Sequence, residues 1–271
     1  MRTVFWIIEG ILYTLFLTGD WCDLFGASWI GGRGWYRYSS ICKYAALWIC
    51  LVYACGIRGR KGHRSSRSKL EKELMGVLVF AAAADYFLLF TDCLIMGILF
   101  FCMVQCCYCL YFAGEKDKSP LWRTVGIGLG ITAGTWVLVQ TGTLADTESW
   151  KKTDLWLLLA AVFYGSLLMQ NLIRAWKPFR RSPVFQICED RSLAQKKKSF
   201  PAAFWGRMAI LLLFLCDIHV ALYNIEEIIL GGMELSWLQL WCEVAGVLMW
   251  LFYLASQLCI VKCIQGQSTY K

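Results

Sequence analysis

Apolar residues fall into eight long runs, at about 3–19, 39–57, 73–91, 94–113, 122–141, 154–173, 204–224 and 236–262. Each is close to the roughly 20 residues that a helix needs to cross a bilayer core. The first is the shortest and holds Glu9. No small-residue cleavage site follows it, so it reads as a span and not as a leader. The pattern predicts an all-α, polytopic membrane protein: eight transmembrane helices in one bundle, forming a single domain over residues 1–271. No internal repeat of fixed period is evident. Composition agrees, with 58% hydrophobic and 17% charged residues and a mean hydropathy of +0.52. Soluble domains do not look like this.

The connecting loops orient the bundle. Residues 58–72 are strongly basic, as is 174–207 with Arg180, Arg181 and the run 196–198. The loop 114–121 adds Lys116 and Lys118. On the alternate side, 92–93 is tiny, 142–153 is near neutral, and 225–235 carries Glu226, Glu227 and Glu234 without Lys or Arg. The loop 20–38 is mixed. Basic and non-basic loops alternate, and the positive-inside rule then puts both termini in the cytoplasm. The expectation is a multi-pass protein of the cell membrane. The net charge of +8 sits in short loops, which excludes a nucleic-acid groove and fits topogenic contact with lipid headgroups.

Polar residues inside the runs carry the candidate chemistry. The stretch FWGRMAILLLFLCDIHVALYN, 204–224, holds Asp217 in its second half. A charge at membrane depth is costly and marks a functional site by default. At helical spacing Asp217 shares a face with Leu213, Ala221 and Asn224. The third run holds Asp85. Counted from their starts, both acids stand roughly 18–20 Å into the core, which suggests one site. On the fourth run Gly97, Phe101, Gln105 and Tyr108 share a face, and Gln105 lies about 16 Å from the opposite end. That face also reads as plain packing, with Gln105 making an interhelical hydrogen bond. In the sixth run Tyr164, Leu168 and Asn171 line up. In the eighth, Glu243, Gly246, Trp250, Tyr253 and Gln257 form a polar stripe, which belongs inside a bundle. Lys43, near the outer end of the second run, has a stem long enough to reach the interface.

Fourteen cysteines lie mostly inside apolar runs. Cys102, Cys106 and Cys109 share a helix face, but His63 and His219 are far from them in the chain. A closed zinc set needs such partners, so packing as small hydrophobes is the preferred reading and no metal is expected. Cys22 and Cys42 flank one extramembrane loop, and the sequence leaves their pairing open.

Taken together, these residues resemble the YhhN-like lysoplasmalogenase family of eight-span membrane proteins, from the second run to the last. The family's third span carries a Gly-Asp pair, here Ala84-Asp85, followed by Tyr86, Phe87, Leu88 and Leu89. Its fourth has Gly, Phe, His, Tyr and Phe, here Gly97, Phe101, Gln105, Tyr108 and Phe112. Tyr164 and Met169 match its sixth span. Arg207, Phe214, Cys216-Asp217 and Ala221-Leu222 match a seventh span that has Ser-Asp. Tyr253 and Gln257 match the last, and Lys43 a lysine of the second. The departures are Ala84 for Gly, Cys216 for Ser, Gln105 for His, and Tyr44 for the proline after the lysine. Both acids are present. Without the histidine, the usual proton carrier near neutral pH is missing.

The resemblance implies hydrolysis of the vinyl ether of a lysoplasmalogen to a fatty aldehyde and a glycerophospho-base. Protonation of the β-carbon gives an oxocarbenium ion that water captures. Two carboxyl groups in a low-dielectric site do not readily both ionise and instead share a proton, which suits this chemistry. Asp85 and Asp217 are the expected acid and stabiliser, and environment splits the roles. Tyr108, Tyr164 and Tyr253, with Gln105 and Gln257, would hold the acids, the water or the lipid, and Lys43 would meet the phosphate. No cofactor is required. The expected partners are a lysophospholipid or ether-lipid substrate and the surrounding membrane lipids. The alternative is a catalytically lapsed lipid-binding or regulatory protein of the same fold. A proton-coupled transporter ranks below both, since no repeated halves or broken helix pairs are apparent.

Overall fold

Inside a bilayer every backbone N–H and C=O must find its partner within its own segment, and a helix does this. The computed structural model describes residues 2–25, 33–59, 67–91, 93–113, 119–141, 152–176, 202–229 and 236–269. Eight α-helices run through them: α1 (Arg2–Leu24), α2 (Arg33–Gly59), α3 (Arg67–Phe90), α4 (Leu94–Ala113), α5 (Pro120–Gln140), α6 (Lys152–Trp176), α7 (Ala202–Ile229) and α8 (Ser236–Thr269). Every expected run is a helix, and several continue past their apolar cores. Seven are long and apolar enough to cross a membrane. The exception, α5, has 21 residues but gives many of them to Gly126, Gly128, Gly130, Gly134, Thr124, Thr132 and Thr135, which lowers its hydropathy. Pro120 opens α5 at a position where a missing N–H costs nothing. Much of the basic loops, including Arg180, Arg181 and 196–198, lies outside the described residues, as does most of 142–153 and 230–235.

Four threonine hydroxyls in the helices are satisfied locally. Thr14 donates to Gly10 O, Thr124 to Pro120 O, Thr132 to Gly128 O and Thr135 to Ile131 O, at 2.7–3.1 Å. Back-bonding one turn earlier is the usual way for such groups to avoid exposure to lipid.

The helices gather into two compact units, Met1–Gly62 with Met208–Lys271, and His63–Arg207. In the first, α1 runs antiparallel to α2, with Phe5 stacked on Tyr53 at 3.9 Å and Ser39 bonded to Asp20. It is also antiparallel to α8: Tyr13 Oη donates to Leu251 O at 2.6 Å, and Lys262 Nζ lies 4.1 Å over the Trp6 ring. The start of α1 and the end of α8 therefore share one end of this unit. Along α8, α7 runs antiparallel, fixed by Ser256 Oγ to Ala209 O at 2.8 Å and by His219 beside Phe252.

In the second unit α3 packs antiparallel on α4. Gly97 permits the contact, since a Cβ there would run into Leu88. Gly76 does the same against Cys107. Parallel to α4 and in direct contact with it lies α6; α5 packs on both, with Gly128 against Phe163 and Ser166, Trp136 stacked near Trp156 and Thr124 beside Cys109. Small residues that let backbones approach are the expected means of helix association where lipid is as apolar as leucine.

Candidate functional site

In the first unit the second-span lysine is not an isolated anchor. Lys43 is buried, at 8% exposure, and its Nζ is 2.7 Å from Asp20 Oδ2. Ser39 Oγ donates to Asp20 Oδ1 at 2.6 Å. The ammonium also lies 5.0 Å from the Trp250 ring centroid and 5.8 Å from that of Phe16, close enough for cation–π attraction. The expectation of a side chain reaching to the interface is thus corrected. A nearby carboxylate and two ring faces supply inside the bundle what water would supply outside.

Asp20 is the residue that sequence reasoning missed. The first apolar run ends at 19, so Asp20 is counted with the loop, whereas α1 continues to Leu24. A signal was present: Glu9, Tyr13, Phe16 and Asp20 follow one another at spacings of four, three and four, one face of a helix. On α2, Ser39, Lys43 and Cys50 form the matching face. Cys50 Sγ donates to Glu9 Oε1 at 3.5 Å, deep in the unit.

Tyr253 and Gln257 of α8 are buried beside this group, with Tyr253 edge-on to Trp250 at 5.4 Å. Asp217 belongs to the same unit on α7. It is half-buried, between buried Leu213 and exposed Ala221. Next to it Cys216 is buried. His219 points elsewhere, its Nδ1 2.7 Å from Leu215 O.

The second unit holds Asp85, Gln105, Tyr108 and Tyr164. Asp85 is buried on α3 at 3% exposure. The Phe87–Phe100 stack and the Leu88–Gly97 contact set it opposite the α4 turn around Phe101, so Gln105 lies roughly 6 Å further along the axis. Tyr164 spans that interval. Its ring is 6.0 Å from Phe101, and its hydroxyl accepts from Gln105 Nε2 at 3.4 Å. Asn171 Nδ2 donates to Gln105 O at 2.7 Å and to Oε1 at 3.1 Å. Arg174 Nη1 continues the network to Asn171 Oδ1 at 3.3 Å and Cys109 Sγ at 2.9 Å. The interhelical reading of Gln105 is what the structure contains. Tyr108, fully buried, stacks on Phe112.

Cys22 and Cys42 are free thiols, as are Cys102, Cys106 and Cys109. Among the described residues no three His, Cys, Asp or Glu side chains converge as metal ligands.

A helical multi-pass membrane protein with acids, a paired lysine and a Gln–Asn–Tyr network in its spans is the class that these features define. The YhhN family profile matches residues 38–264, and the chain belongs to the YhhN family. That segment takes in Lys43, Asp85, Gln105, Tyr108, Tyr164, Asp217, Tyr253 and Gln257. It begins after α1, so Glu9 and Asp20 lie outside it. No curated protein and no solved structure matches the chain.

Proposed function

We propose that this chain is a lysoplasmalogenase-like hydrolase that opens the vinyl ether of a lysolipid by acid–base chemistry. One observation carries the reading: the family-matched segment holds two acids within helices long and apolar enough to cross a membrane, Asp85 on α3 and Asp217 on α7. In this mechanism one of them, as the neutral acid, gives its proton to the β-carbon, and the electron pair of the C=C bond forms the new C–H bond. The other, ionised, stabilises the oxocarbenium ion and orients water. Water adds to the cation and returns a proton to the first carboxylate. The hemiacetal then collapses to a fatty aldehyde and a glycerophospho-base. Lys43 takes the phosphate in this scheme, and Asp20 must release it. The aromatic faces of Phe16 and Trp250 remain to hold the ammonium in place. Aldehyde release from vinyl-ether lysolipids by the purified full chain tests the reading. Its absence from folded, lipid-competent protein rejects it.

A lapsed, lipid-binding role is the second reading, and Gln105 favours it. Where the family pattern has a proton carrier, this chain has an amide bound to Tyr164 and Asn171. Lysolipid affinity without aldehyde release would select this role.

A further inference from the structure

Two layers of the first unit lie one heptad apart. In one layer Phe16 of α1, Lys43 of α2 and Trp250 of α8 meet, the two ring centroids 6.5 Å apart with Lys43 over both. A step of seven residues in one spatial direction runs from 16 to 9 on antiparallel α1, from 43 to 50 on α2 and from 250 to 257 on α8. It arrives at Glu9, Cys50 and Gln257. Seven residues make nearly two whole turns, so each side chain repeats the direction of its counterpart about 10 Å further along. The Cys50–Glu9 hydrogen bond at 3.5 Å agrees with that register. In this second layer Glu9 and Gln257 are each 1% exposed and Cys50 is fully buried.

Glu9 Oε2 and Gln257 Oε1 are both buried, and neither has a hydrogen-bond partner. Both are acceptors when Glu9 is ionised, and buried polar atoms are rarely left this way. Four of the charged and titratable groups on the three packed helices are engaged elsewhere. Lys43 is held by Asp20, Lys262 lies over Trp6, Tyr13 donates to Leu251 O and Tyr53 accepts from Gln265. An ionised Glu9 would be a buried charge without a counter-ion, which is costly. A metal cation would want about six oxygens, and the layer offers three side-chain oxygens. One hydrogen satisfies both orphans at once.

We propose that Glu9 and Gln257 form a one-proton site, in which Glu9 is a neutral acid whose Oε2–H donates to Gln257 Oε1. Glu9 Oε1 is then the carbonyl oxygen that accepts from Cys50. The ligand is a proton, and the site is separate from Asp85 and Asp217. It fastens α1, the helix outside the family-matched segment, to α8 by a bond that exists only while the proton is present.

Infrared spectroscopy of the purified full chain at neutral pH tests this without any turnover, so its failure is distinct from failure of the hydrolase reading. A protonated-carboxyl C=O band is expected in the wild type, moved by carboxyl-labelled glutamate. Part of it should disappear in Glu9→Gln and survive in Asp85→Asn and Asp217→Asn. In Gln257→Leu, which keeps Glu9, the band should persist and shift to higher frequency because the O–H loses its acceptor. A label-insensitive band, or a spectrum unchanged by Glu9→Gln, would show an ionised Glu9 and overturn the proposal. A band unmoved in Gln257→Leu would show that the proton is not shared.

Discussion

Asp20 takes Lys43 Nζ at 2.7 Å while Ser39, one turn earlier on α2, donates to its other oxygen. The pair joins α1 to the first helix of the family-matched segment. Removing one partner of a buried pair strands the other charge, and the loss is about 3 kcal/mol or more. Replacing both with apolar side chains of similar volume removes the desolvation cost as well. Asp20→Leu and Lys43→Met should each lower the thermal unfolding midpoint in detergent. The Asp20→Leu/Lys43→Met double variant should recover much of that loss. If the single losses simply add, the two side chains are not coupled.

Asn171 contributes two donors to Gln105, one to its backbone oxygen and one to its side chain. Asn171→Ala takes the donor from Gln105 Oε1 at the α4–α6 contact, while Gln105 O keeps its bond within α4, and should cost about 1–3 kcal/mol. Gln105→His keeps the backbone bond and places a ring where the family pattern has one. Its unfolding midpoint should fall less than that of Asn171→Ala, and its aldehyde release should equal or exceed the wild type. A Gln105→His protein less stable than Asn171→Ala would show that the amide, and not Asn171, holds the contact.

The eight helices were legible because hydrophobic periodicity is local and lipid leaves the backbone little other choice. The polar faces of α4, α6 and α8 were legible for the same reason: Gln105, Asn171 and Gln257 each show at helical spacing. Partnership was not. Nothing local says that Asn171 meets Gln105, or that α2 and α8 run parallel against α1. Asp20 was lost to a boundary, since a charge at the end of an apolar run looks like the start of a loop. Only its spacing from Phe16 and Tyr13 showed that the helix continues. Lys43 reads in the sequence as an interface residue, because a lone lysine reaches for water and a paired one does not.

Trp6 and Lys262 in contact put the beginning of α1 and the end of α8 at one end of their unit. The expectation from loop charge is that this end is cytoplasmic. Reporter fusions at both termini and within 58–72 and 174–203 should all report cytoplasm. Fusions within 142–153 and 225–235 should report the opposite side. A cytoplasmic signal from 142–153 would mean that α5, the helix outside the seven apolar enough to span, does not cross.

The roles proposed for Asp85 and Asp217 supply the last test. Asparagine has nearly the size of aspartate and keeps a hydrogen-bonding oxygen, but it neither delivers nor shares a proton. If one acid protonates the β-carbon and the other stabilises the cation, Asp85→Asn and Asp217→Asn should each cut kcat by about a hundredfold or more. The double variant should be little worse than either, since residues that act together are not additive. Lys43→Ala should behave differently. Removing a group that binds phosphate equally in ground and transition states raises KM and leaves kcat near its wild-type value. Its stability must be measured alongside, because Asp20 is left unpaired. Two independent, multiplicative Asn effects would mean that the acids do not share one step. An Asp217→Asn enzyme with full kcat would leave Asp217, the more exposed acid, outside the chemistry and assign the proton to Asp85 alone.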